Sequence, residues 1–86
     1  MKLIIVIVND NDSEILTQAF TAANFRVTRV ASTGGFLRRG VTTMLLGVED
    51  PQVDAVVQTV RQALPSKGGE KRATLFVMPV AHYEQV

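Results

Sequence analysis

Cysteine is absent from the chain, and histidine occurs once. The first absence excludes a disulfide framework and any thiolate metal site. The second leaves His82 with no other nitrogen or thiolate to share a metal. A catalytic base also needs a nucleophile and an orienting group in reach, so His82 reads as a surface histidine in a tail. No apolar run is long enough to span a bilayer. The opening run "MKLIIVIV" is broken by "NDND" after Val8, too short for a signal peptide and its cleavage site. A cytoplasmic, membrane-free protein is therefore expected. A surplus of one charge is missing too: nine Lys and Arg stand against eight Asp and Glu, a net charge of +1. That is too near neutrality to point to nucleic acid or a membrane surface.

What the chain does have is apolar residues. They make up 47% of the sequence, against 20% charged. The 86 residues contain no internal repeat, low-complexity segment or linker, so a single domain over 1–86 is expected. A domain of this size buries a modest fraction of its surface, and the apolar surplus points to association.

Leu3 to Val8 is continuously aliphatic, as in a strand buried on both faces. In "NDNDSEILTQAFTAANF", Asn11 and Glu14 fit a capping box. Ile15, Leu16, Ala19, Phe20 and Ala23 then recur at helical spacing, and Asn24 can take the left-handed position that ends the helix. "FRVTRVAS" reads as a half-exposed second strand whose alternation breaks at Arg29 and Val30, by a bulge or a change of environment. "VTTMLLGV" at 41–48 is a third strand. Asp50 as N-cap and Pro51 at the first position open a second helix with a stripe of Val53, Val56, Val57, Val60 and Leu64. Pro65 and Gly68-Gly69 stop it, residues 65–71 form a surface loop, and "RATLFVMPV" is the last strand.

The order β-α-β-β-α-β predicts an α+β, ferredoxin-like domain. Right-handed crossovers place both helices on one face of a four-stranded antiparallel sheet. The other face then lacks cover within the chain, and an open aliphatic face marks an association surface.

No enzyme is visible in these residues. Asp10, Asp12 and Glu14 read better as acids at a helix N-terminus than as a hard-cation site, and Glu49, Asp50 and Asp54 repeat the pattern. The connection "TGGFLRRG" at 33–40 is more than a hairpin needs. Gly34-Gly35 can form an anion-holding nest, Arg38 and Arg39 follow, and Arg26 and Arg29 precede. Phe36 can stack on a base and Leu37 can flank it. Two readings stand on these residues: a site for an anion bearing a flat ring, such as a nucleotide, or a solvated hairpin with Phe36 tucked against the sheet or a second subunit.

"MKLIIVIVNDND", "NFRVTRVASTGGFLRRGVTTMLLGVED" and "ATLFVMPVAHYEQV" resemble the cyclic-di-AMP receptor family of PII-like signalling proteins, with "TGGFLRRG" followed by "TTMLLGV" as the most specific stretch. The resemblance implies a homotrimer with its sheets facing a threefold axis and a ligand site in each cleft between subunits. It implies Asn9 and Asp10 near an adenine edge, and Arg26 and Thr28 beside base and phosphate. Gly35, Phe36 and Leu37 would form a backbone and apolar wall, Gly47 a point of close approach, and Phe76 and Gln85 further contacts. No cofactor or metal is implied beyond the cyclic di-AMP ligand, and the downstream protein target is left unnamed. The chain departs from the family at Val41, where a polar residue is usual, and in the short loop at 65–71. Two alternatives are a PII-like trimer binding another nucleotide or small anion, and a structural or metal-handling trimer resembling the CutA proteins.

Overall fold

A computed structural model describes residues 1–30, 40–66 and 68–86. Strand β1 (Lys2–Asn9) leads directly into helix α1 (Asp10–Ala22), followed by β2 (Thr28–Val30) and β3 (Val41–Val48). A single 3-10 turn (Asp50–Gln52) then opens helix α2 (Val53–Ala63), and β4 (Ala73–Pro79) completes the sheet. The strand order is β2-β3-β1-β4 and every pairing is antiparallel. This is the ferredoxin-like α+β arrangement expected from the order of elements.

The two faces of the sheet follow from parity. Ile4, Val6 and Val8 of β1 and Met44, Leu46 and Val48 of β3 are buried under the helices, against Leu16, Phe20, Val56, Val60 and Leu64. The opposite parity forms the open face. There the register aligns Thr28, Leu45, Ile5 and Phe76 across all four strands, with Gly47, Leu3 and Met78 in a neighbouring row. Phe76 is 51% exposed and Met78 42%. Leu3, Ile5, Ile7 and Leu45 are only half-buried, so an aliphatic surface lies without cover from the described residues of the chain.

Helix α1 starts one residue after β1, with Asn9 rather than Asn11 at the N-cap and no side-chain cap bond. The reason is tertiary. The Gly40 carbonyl of the returning chain accepts the Asp10 N–H at 2.9 Å, satisfying one of the first-turn amides that have no intrahelical partner. The other end of α1 is closed as its sequence predicts. Asn24 is left-handed, with φ 66°. The Asn24 and Phe25 amides donate to the carbonyls of Thr21 and Phe20 at 3.0 and 2.9 Å, a Schellman pair. Phe20 and Phe25 meet edge to face, 6.5 Å between ring centres, supplying the apolar contact that accompanies this cap. Ile15, placed on the apolar stripe by spacing, is instead 49% exposed.

That cap shortens β2. The alternation expected over 25–28 is visible in burial, with Phe25 and Val27 half-buried and Arg26 and Thr28 exposed. Phe25 belongs to the helix terminus, and the chain joins the sheet only at Thr28. The pairing with β3 runs without a bulge through Arg29, so the break in the pattern is a change of environment. Before α2, Glu49 is the N-cap in place of Asp50. Its side chain and that of Gln52 cap each other's amides, Gln52 accepting the Glu49 N–H at 2.9 Å.

Candidate functional site

The open face carries a cavity of about 450 Å³ at the end where β1 begins, within the range of small-molecule sites. Leu3, Leu45 and Val80 contribute aliphatic surface, and Arg26, Thr28, Gln85 and Tyr83 contribute polar groups. Gly47 also lines it, and a Cβ built at Gly47 would meet no atom within 4 Å, so the absent side chain leaves open space in the cavity. One cation, one hydroxyl, one amide and one phenol around an aliphatic floor suit a ligand with a flat ring and an anionic group.

The cavity gathers four of the residues expected from sequence: Arg26, Thr28, Gly47 and Gln85. Phe76 shares the open face, opposite Ile5, but does not line the cavity. Asn9 and Asp10 stand at the far end of β1. Six residues separate Asn9 from Leu3, about 20 Å of extended strand. Asp10 is also engaged locally, its carboxylate accepting from the Thr42 hydroxyl. Val41 pairs with Asn9 and so belongs to that end. Gly35, Phe36 and Leu37, with the Gly34 amide and Arg38 and Arg39, lie outside the described residues.

Arg29 does not join Arg26. Neighbouring residues of a strand point to opposite faces, and Arg29 reaches the helix side, with its guanidinium 3.0 Å from Ser13 Oγ and 3.4 Å from Glu14 Oε2. The acidic cluster likewise separates into individual contacts. Asp10 accepts from Thr42, Asp12 from Arg72 at 2.8 Å, and Glu14 from Arg29. Among the described residues, no group of three or more His, Cys, Asp and Glu is placed to hold a metal ion, and no helix is long and apolar enough to cross a membrane. His82 faces Glu84 at 3.5 Å with both side chains exposed, a pair worth little in water.

A second cleft of about 440 Å³ lies between α2 and the approach to β4, on the helix side. Its Arg72 is already committed to Asp12 and to the Pro65 carbonyl at 3.3 Å. The open-face cavity, where polar groups from three separate parts of the chain converge, is the stronger candidate.

Sequence reasoning missed Leu3, Leu45, Val80, Tyr83 and Met1 as lining residues. Parity could have found the first two, since both fall on the face left uncovered by the helices. Tyr83 sits two residues before Gln85, a spacing that puts both on one side of an extended tail.

Fold and cavity together define a ferredoxin-like domain with a ligand-sized cleft on the open face of its sheet. The cyclic-di-AMP receptor family matches residues 1–72, and the chain belongs to that family. The match ends at Arg72, so Phe76, Tyr83 and Gln85 lie beyond it. The chain is also similar to a solved crystal structure of a functionally unknown protein from Pediococcus pentosaceus, at 33% identity and a TM-score of 0.77, covering 99% of this chain and 96% of that one.

Proposed function

We propose that this protein is a non-enzymatic, PII-like signalling protein that binds cyclic di-AMP in clefts between the subunits of a homotrimer. The observation that carries the reading is the convergence of Arg26, Thr28, Gly47 and Gln85 on one open-face cavity, in a chain of the cyclic-di-AMP receptor family. Arg26 supplies charge for a phosphate, Thr28 and Gln85 supply polar contacts, and Gly47 leaves room for close approach.

The trimer is supported by the aliphatic open face, which a second sheet would remove from water. Geometry adds a separate support. The Asn9–Asp10 end of β1 and the cavity end are about 20 Å apart in one subunit, so both sets meet around one base only if they come from neighbouring copies. Ligand recognition then requires assembly, which suits a sensor whose output is a change at a subunit boundary.

A thermal-shift screen of nucleotides tests the reading. Cyclic di-AMP should raise the melting temperature with concentration as RT ln(1 + [L]/Kd) requires, and AMP and inorganic phosphate should not. A larger shift with another nucleotide would move the assignment to that ligand.

A further inference from the structure

Pro79 ends β4 opposite Lys2, and the next amide, Val80 N–H, donates to the Met1 carbonyl at 3.1 Å. The bond is the next rung of the β1–β4 ladder, and the chain bends just beyond it at Ala81. Val80, Tyr83 and Gln85 consequently line the same cavity as Arg26 and Thr28 from the far side of the sheet. His82 and Glu84 alternate with the two lining residues and pair with each other, 3.5 Å apart. Tyr83 is 59% exposed and, among the described residues, is the aromatic one that lines the cavity.

We propose that Tyr83 is a stacking platform for a purine base in this cavity, with the aliphatic surface of Leu3, Leu45 and Val80 against the other face of the base. The inference rests on the reading of the cavity as a nucleotide site. An exposed ring gains most when a flat partner covers it. Base–aromatic stacking needs no hydrogen-bond match, so Tyr83 supplies contact while Arg26, Thr28 and Gln85 supply orientation. Stacking uses the ring and does not need the phenol oxygen. Phe76, placed in the site by resemblance, is on the same face but outside the cavity, and Tyr83 fills the aromatic role there.

The sequence provides its own reporter, because Tyr83 is the single tyrosine and tryptophan is absent. Titration with cyclic di-AMP should quench tyrosine emission, after correction for ligand absorption, with the same midpoint as calorimetry. Inorganic phosphate should leave the emission unchanged. Tyr83→Phe should keep the calorimetric affinity within about twofold, and Tyr83→Ala should weaken it roughly tenfold to a hundredfold. Neither should move the melt of the ligand-free protein, since the ring is exposed. Wild-type affinity in Tyr83→Ala, with binding intact, overturns the role of Tyr83 and leaves the nucleotide site standing. Absence of calorimetric binding by the wild type overturns the nucleotide site and the stacking role with it.

Discussion

Asp12, in the first turn of α1, accepts a hydrogen bond from Arg72 at 2.8 Å across 60 residues of sequence. The Asp12 side chain is 13% exposed and that of Arg72 31%, so the pair is neither freely solvated nor fully buried. Arg72 also reaches the Pro65 carbonyl and so closes the connection between α2 and β4 onto α1. Arg72→Ala leaves a largely buried carboxylate short of its partner. The expected loss is about 1–2 kcal/mol, between the values for exposed and buried pairs. Urea denaturation of Arg72→Ala, Asp12→Asn and the double variant should show non-additive losses. Strict additivity would mean that the two side chains act independently.

Parity along the strands separates two lysine substitutions. Val6 is fully buried beneath the helices, and Val6→Lys places an unpaired charge in the core at a cost of several kcal/mol. It should abolish native circular dichroism. Leu45 faces the open side, where Leu45→Lys should keep the fold and reduce the scattering mass from that of the proposed trimer to that of one chain. An unchanged mass would show that the open face is not the association surface.

Asn24 holds φ 66° at the end of α1. Asn24→Gly should be close to neutral. Asn24→Val forces a β-branched residue into the left-handed region and should cost about 1–2 kcal/mol in denaturant unfolding. Equal stability of the two variants would contradict the left-handed cap.

Gly47 offers open space on the cavity wall. Gly47→Val should fold with an unchanged or slightly raised melting temperature, since valine favours strands. Its side chain would occupy the volume reserved for the ligand, and affinity for cyclic di-AMP should fall at least tenfold, about 1.4 kcal/mol. Full affinity in this variant would place the ligand elsewhere.

The fold was legible because its central strands are unambiguous. Val41–Val48 matches the expected third strand end to end, and the uninterrupted aliphatic run of β1 reads as a strand with apolar residues on both faces. The ends of elements were not legible where a distant group decides them. The α1 N-terminus depends on the Gly40 carbonyl, and the start of β2 depends on Phe25 packing on Phe20 instead of entering the sheet. Arg29 shows the same limit. Its place in the sequence groups it with Arg26, but one step beyond Thr28 along the strand carries it to the helix face and to Glu14. Periodicity could not assemble the cavity. Arg26 and Gln85 line one cavity because the chain bends at Ala81, just past the last rung of the β1–β4 ladder, and that bend leaves no signature in hydrophobic pattern. The resemblance named Arg26, Thr28, Gly47 and Gln85, and the geometry brought them together.

Calorimetric titration of the wild type and of Arg26→Ala with cyclic di-AMP tests the central claim most directly. Arg26 is exposed and lines the cavity, so its removal should leave the fold intact while taking away the charge proposed to meet the ligand phosphate. The wild type should bind one ligand per subunit, with a Kd on the order of tens of micromolar, because Val41 and the short α2–β4 connection remove contacts. Arg26→Ala should bind at least tenfold more weakly. No heat from the wild type up to millimolar ligand, or equal affinity in the two proteins, would contradict the account.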